Sequence, residues 1–364
     1  MERREFIKKG LTGAAVAGTF SSGVCSGNRP DKEASYWEKR GGSSVQCGLC
    51  PRRCILKPGS TGVCRVRQNR EGTLFTNGYG NPCAIHVDPV EKKPLYHMTP
   101  GEKVYSVAIA GCNMRCKNCQ NYTISQQNPL NTRNYTLPPE EVVDNAVKKG
   151  CTAIAYTYSE PSVWFEYMYT TAKAAKKRGL KNIWVTCGYI NRQPLMDLSE
   201  YMDAANIDIK SFDDSVYGRL NAGRLQPVLD TVKRAHSQGI WVELTNLIVP
   251  EWTDDIDTIR KMCAWIREEI GEGTPLHFAR FHPAFKLEHL FPTPKELLEK
   301  AKETAKDEGL SYVYIGNTPG VNTNTYCPEC GQVLIRRSGY IIKEVNIQNS
   351  KCNKCGHRIS GLWE

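Results

Sequence analysis

Val104-Tyr-Ser-Val-Ala-Ile-Ala110-Gly-Cys112-Asn-Met-Arg-Cys116-Lys-Asn-Cys119 joins an apolar, β-favouring run to three cysteines separated by gaps of three and two residues. The run reads as a buried strand and the cysteines as a tight loop at its C-terminal end. Gaps this short let neighbouring thiolates face one metal centre. A cubane of four irons needs four ligands. Three thiolates leave one iron open, as a catalytic metal site requires, and a small chelating molecule can take that position. The plainer alternative is a zinc knuckle short of its fourth ligand.

Downstream, β-rich apolar runs alternate with helical patterns, which marks βα units around a parallel sheet. Strands are predicted over 104–110, 152–158, 182–187, 205–210, 240–249, 276–281 and 312–315. Helical segments lie between them. Residues 139–149, for one, carry Pro139 in the first turn and stop before Gly150. The expectation is an α/β fold, a complete or partial TIM-type (βα) barrel over 104–320, with its chemistry at the C-terminal ends of the strands. There the sequence offers Tyr156-Thr-Tyr-Ser-Glu160-Pro161, Thr186-Cys-Gly188-Tyr189, Asp208-Ile-Lys210 and Arg280-Phe-His282-Pro283. Asp208 and Lys210 share one face of a strand, and a strand otherwise made of Ala, Asn and Ile seldom buries two charges without a partner. A mutual ion pair is the structural alternative for these two, and a strand-capping role the alternative for His282.

The C-x3-C-x2-C loop after the first strand of a βα series resembles the radical S-adenosylmethionine (SAM) superfamily. Residues 111–126, Ala155-Tyr-Thr-Tyr-Ser-Glu-Pro161, His277-Phe-Ala-Arg-Phe-His-Pro283 and Gly316-Asn317 resemble one branch of it. That branch is the AmmeMemoRadiSam system radical SAM enzymes, related to the pyruvate formate-lyase activating enzymes and named after two partner families, Memo and AMMECR1. The resemblance runs from about residue 45 to the end. It implies a 4Fe-4S cluster on Cys112, Cys116 and Cys119 and reductive cleavage of SAM to a 5′-deoxyadenosyl radical that abstracts hydrogen from a substrate. It places Glu160 at the methionine amino group of SAM, with Ser159 and Thr186 bordering that site, and carries SAM contacts to Asp208, Lys210 and His282. Tyr158 and Ser159 stand where the family has two glycines. Asn118 stands where an aromatic residue usually packs on adenine, so Tyr122 is expected to take over that contact. An electron donor such as flavodoxin or ferredoxin is implied. The substrate stays open between a small molecule, a peptide and a protein glycine, the last making the chain a glycyl-radical-enzyme activating enzyme. A non-catalytic metal-binding scaffold is the alternative from another class.

Sixteen cysteines are too many to be incidental, and two further groups have metal-ligand spacing. Cys327-Pro-Glu-Cys330-Gly331 and Cys352-Asn-Lys-Cys355-Gly356 read as the two knuckles of a zinc ribbon over 321–364, with a single iron as the rival metal. Cys47, Cys50, Cys54 and Cys64 lie in a Gly- and Pro-rich module over 31–103 that reads as loops around a metal. Zinc or an auxiliary 4Fe-4S cluster would fit, and the spacing does not decide. Cys83, Cys151, Cys187 and Cys263 stand alone and read as small buried hydrophobes.

Arg3-Arg4 followed by a small-residue apolar stretch over 11–20 resembles a twin-arginine export signal within 1–30. SAM and low-potential electrons are cytoplasmic supplies, so localisation stays open. The formal charge of +10 falls to about +2 once that segment and the metal-bound thiolates are counted, which leaves no nucleic-acid footprint. Beyond the first thirty residues no apolar run reaches the length of a transmembrane helix.

Overall fold

A computed structural model describes residues 32–363, so the twin-arginine-type signal lies outside the described residues. The main sheet has eight strands: β1 (Ala84–Pro89), β2 (Lys103–Ala108), β3 (Ala153–Tyr156), β4 (Lys181–Thr186), β5 (Ala204–Asp208), β6 (Trp241–Ile248), β7 (Leu276–Arg280) and β8 (Val313–Gly316). β2 to β8 lie side by side in chain order, each parallel to the next, and β1 pairs antiparallel with β2. β1 is one edge of the sheet and β8 the other, so the barrel is an open, partial one.

All seven expected strands fall where the apolar runs lie. Their continuity follows from burial on both faces, since each strand of a parallel sheet is covered by helices outside and by the core inside. β1 went unforeseen within the N-terminal module. It is an edge strand with His86 and Val87 exposed and Asp88 its one buried member, so it has no apolar run to announce it.

Six helices, α1 (Pro139–Lys148), α2 (Phe165–Lys177), α3 (Arg192–Ser199), α4 (Leu225–Ser237), α5 (Ile256–Glu269) and α6 (Lys295–Asp307), follow β2 to β7 in turn. α1 shows why they form: Val142, Val143 and Ala146 make a buried stripe, while Glu140 and Glu141 sit in the first turn, where the helix dipole favours negative charge. No helix among the described residues is long and apolar enough to cross a membrane.

The C-terminal segment closes the N-terminal ends of the strands. Its three-stranded sheet of Thr325–Tyr326, Val333–Ser338 and Ile341–Val345 packs Leu334 and Ile335 onto Tyr96, Tyr312 and Tyr314. Arg337 crosses the seam, donating to the Tyr96 carbonyl at 2.7 Å and lying 4.4 Å from the centre of its ring. Beneath it Glu243 is wholly buried and accepts four hydrogen bonds, from the backbone N–H groups of Tyr96 and His97, the Trp241 indole and the His277 imidazole. Burial opposes its ionisation, but His277 and the other donors outweigh that and hold its carboxyl below the usual range.

Replacing Glu243 with alanine strands four buried donors at once. Glu243→Ala is expected to lower unfolding stability by about 3 kcal/mol, read as a shifted denaturant midpoint; a loss under about 1 kcal/mol would contradict this packing role. Beside it, burial pushes the His97 imidazole down to about 4, although Glu243 pulls it up. The unfolded chain therefore binds a proton near the ordinary histidine value while the folded one does not. Stability is expected to rise with pH between about 4 and about 6.5, by about 3 kcal/mol from this group. Denaturation midpoints from pH 4 to 7 measure it, and a flat profile would refute the assignment.

Candidate functional site

β2 ends at Ala108, and the chain turns at Gly111 (φ +111°) into the cysteine loop. A Cβ at Gly111 would lie 2.3 Å from Val66 Cγ2 and 2.7 Å from the Cys64 carbonyl oxygen, so glycine is required on both steric and dihedral grounds. The loop is then held from outside itself. Asn113 donates its side-chain amide to the Tyr189 carbonyl at 2.7 Å, while the N–H groups of Arg115 and Lys117 bond the carbonyls of Asn221 and Leu220 at 3.0 and 2.9 Å. Those acceptors belong to a π-helical turn, Tyr217–Asn221. Such widened turns are rare and gather at functional sites.

Cys116 is buried and Cys112 and Cys119 are half-buried, all three as free thiols. Burial pushes the Cys116 thiol up to about 12; Lys210 pulls the other way, and Cys112 and Cys119 add to the rise. Burial raises the Cys119 thiol as well, so these two become thiolates only beside a cationic centre. Lys210 is held well above its ordinary value: burial opposes this, and the charges of Asp208, Cys116, Cys187 and Tyr217 prevail. Its ammonium donates to Asp208 at 2.8 Å, so the ion-pair alternative for these two residues is present, and the same ammonium faces the cysteines.

Sequence reasoning missed several members of this neighbourhood. Cys187, taken as an isolated hydrophobe, is buried beside Cys112 and has its thiol raised, first by burial and then by a hydrogen bond to Cys112. The Tyr217 hydroxyl, close enough to feel Lys210 and Cys116, and the Asn118 side-chain oxygen, between two cysteines of the loop, are buried with no hydrogen-bond partner among the described residues. The only signal for Asn118 was its place in the motif, and for Tyr217 there was none, because a π turn leaves no mark in apolar periodicity.

Glu160 ends the loop after β3, as expected, but the residue is 2% exposed and its carboxylate is hydrogen-bonded within the protein. It accepts from the N–H and hydroxyl of Ser162 at 3.0 and 2.6 Å, from the Thr186 hydroxyl at 2.7 Å and from the Cys187 N–H at 2.8 Å. Three of these bonds reach Oε1 and one reaches Oε2, so in this conformation Glu160 shapes the turn after β4, Thr186 serves it, and Oε2 keeps acceptor capacity. Ser159 likewise faces the scaffold, donating to the Ile109 carbonyl and accepting from the Trp164 indole at 3.3 Å. Tyr158 adopts φ +66°, so the backbone keeps the left-handed conformation that a glycine would take there. Its hydroxyl donates to Asp88, which also binds Lys92 at 2.8 Å, Lys93 at 2.7 Å and Ser106 at 3.0 Å; Lys92, Lys93 and Tyr158 hold its carboxyl far below the usual carboxylate range against the effect of burial. Tyr122 stacks on Phe285, with ring centres 4.8 Å apart. His282 is held at the Asn317 carbonyl, 3.2 Å away, next to the Arg280–Asn317 hydrogen bond.

Residues 106–263 match the family described as the Radical SAM superfamily. Over 331 residues the chain is 47% identical to an uncharacterized protein of Methanocaldococcus jannaschii, spanning 90% of this chain and 98% of that one. The chain belongs to the radical SAM superfamily. It is also 26% identical over 216 residues to pyruvate formate-lyase 1-activating enzyme of Escherichia coli, which covers 55% of this chain and 87% of that enzyme. Among solved structures, Streptococcus suis SuiB bound to S-adenosylmethionine aligns at a TM-score of 0.47 and 12% identity, over 63% of this chain and 53% of SuiB. The radical SAM domain and such relatives are enzymes, and this chain is a radical SAM enzyme.

Membership implies a 4Fe-4S cluster and SAM, and the residues fit them. The three thiols share one loop, a cation lies beside them, and the buried Tyr217 hydroxyl near Lys210 and Cys116 is among the polar groups there with no partner among the described residues. At the far end of the chain, the sulfurs of Cys327, Cys330, Cys352 and Cys355 all lie within 4.8 Å of one another, and could hold a metal ion. Gly111→Ala is expected to drive Val66 and the Cys64 backbone off the cysteine loop, costing about 2 kcal/mol and lowering iron bound per chain after anaerobic reconstitution. Unchanged stability and iron content would show that the seam is not tight.

Proposed function

We propose that this radical SAM enzyme, of the AmmeMemoRadiSam branch, holds its 4Fe-4S cluster on Cys112, Cys116 and Cys119 and abstracts hydrogen from a substrate at the C-terminal mouth of the partial barrel. Bound there, the cluster and SAM together supply a one-electron cleavage that yields methionine and a 5′-deoxyadenosyl radical. The observation that carries the reading is the thiol trio beside Lys210, with the Tyr217 hydroxyl and the Asn118 oxygen unsatisfied next to it. Lys210, oriented by Asp208, offsets the negative charge of the thiolates. Glu160 positions the Thr186–Gly188 turn rather than reaching the ligand in this conformation. Tyr122 and Phe285 form one stacked wall near the loop, where an adenine face would meet an aromatic surface. His282 follows β7 with its ring on the Asn317 carbonyl, and is the proposed contact for the ribose or carboxylate.

The sulfur pairs at 3.6 and 3.8 Å in the C-terminal ribbon are near the roughly 3.8 Å spacing of a tetrahedral four-sulfur site, which supports zinc as the proposed metal, with a single iron as its rival. Its place under the barrel floor makes its role structural. Memo-like and AMMECR1-like proteins are the proposed partners, and a flavodoxin or ferredoxin the proposed donor. Activation of a glycyl-radical enzyme is the second reading, favoured by the likeness to pyruvate formate-lyase 1-activating enzyme. It would leave a glycine-centred radical in a partner protein.

Anaerobic incubation of the reconstituted protein with SAM and dithionite is expected to release 5′-deoxyadenosine, and Cys116→Ala is expected to reduce that release to background. A fully reconstituted wild-type protein that releases none would favour a metal-binding scaffold.

A further inference from the structure

The N-terminal four-cysteine group is a second site, distinct from the loop after β2. Cys47, Cys50, Cys54 and Cys64 come from separate turns and strands of the module, yet all line one small cavity. The rest of its wall is largely apolar, with Leu49, Leu56 and Val163 among its members. The backbone at Gly62 passes beside two of the sulfurs: a Cβ there would make ordinary contact with Cys64 Sγ at 3.6 Å and Cys54 Sγ at 3.9 Å. Backbone N–H groups are turned to the sulfurs as well, those of Val66 and Arg67 toward Cys64 and that of Arg52 toward Cys50.

A cation is built into the wall. Arg67 is 1% exposed; its guanidinium donates to Cys47 Sγ at 3.3 Å and to the Ser35 carbonyl at 2.8 Å, and pairs with buried Glu166 on α2. Glu166 balances the charge of the guanidinium, whose N–H toward Cys47 is placed to donate to a thiolate. All four cysteines are free, so their convergence is not that of a disulfide pair.

The spacing discriminates between metals. A single tetrahedral ion draws its four sulfurs to about 3.8 Å from one another, and the C-terminal ribbon meets that demand. Among the described residues it is the one group of metal-binding side chains whose ligand atoms all lie within 4.8 Å of one another. The N-terminal four line a cavity and are not such a group, an arrangement open to sulfurs that each bind a different iron.

We propose that Cys47, Cys50, Cys54 and Cys64 hold a second iron-sulfur cluster, with cysteine on all four irons. With no open iron it cannot chelate SAM, and its chemistry is one-electron storage. It lies next to the first site, because Asn113, the neighbour of Cys112, lines the same cavity and Gly111 packs on the Cys64 backbone. The assignment does not rest on SAM cleavage.

The test uses the full chain carrying Cys112→Ala, Cys116→Ala and Cys119→Ala together, reconstituted anaerobically. It is expected to retain about four iron and four acid-labile sulfide per chain, with an electron paramagnetic resonance signal on reduction that SAM leaves unchanged. Adding Cys50→Ala and Cys54→Ala is expected to remove the sulfide. A folded triple variant that holds zinc or lone iron without sulfide overturns the proposal. If the triple variant does not fold, the reconstituted wild type decides: about eight iron and eight sulfide per chain support a second cluster, and about four of each overturn it.

Discussion

The close approach of Gly111 to the Cys64 backbone and Val66 is the constraint on which the rest of the site depends. It fixes where the chain leaves β2, and so where three thiols emerge above the sheet. It also joins the N-terminal module to the barrel, so the module is part of the site's foundation. The π-helical turn Tyr217–Asn221 grips the same loop from the opposite side through two backbone hydrogen bonds. A loop held on both sides loses little further freedom on taking up a cluster, and preorganisation of that kind favours binding.

Two buried carboxylates show how the open barrel is tied at its two ends. Glu160 at the C-terminal ends and Glu243 at the N-terminal ends each accept four hydrogen bonds while almost wholly buried. A charge in such a place is tolerable only when both of its oxygens are hydrogen-bonded. Glu243 joins the β2 approach, β6, β7 and the floor on which the C-terminal ribbon sits, and Glu160 joins the loop after β3 to the turn after β4. The chemistry-bearing end thus keeps its shape from groups that do not face the reactive space.

The parts legible in the sequence were those with a local signature. Seven strands showed as apolar runs because both faces of each are covered, and the three cysteine groups showed through their gaps. The edge strand β1 was hidden because solvent on one face breaks its apolar pattern. Tyr158 was read as a departure from a glycine motif, yet it keeps the glycine-like dihedral, anchored by Asp88 and Lys93, which lie far away in sequence. Glu160 was placed at the end of the second predicted strand, but two of its four donors, Thr186 and Cys187, come from the turn after the next strand, which no local pattern reveals. Cys187 and Tyr217 reach the thiol loop through tertiary folding alone.

The central claim is that one iron of the cluster on Cys112, Cys116 and Cys119 is left open for a chelating ligand. Electron-nuclear double resonance of the dithionite-reduced protein with SAM labelled at the amino nitrogen and carboxylate oxygen measures this directly. Hyperfine coupling from both labels to the cluster is the predicted result. A reduced cluster whose spectrum shows coupling to neither label, at saturating SAM, would contradict it.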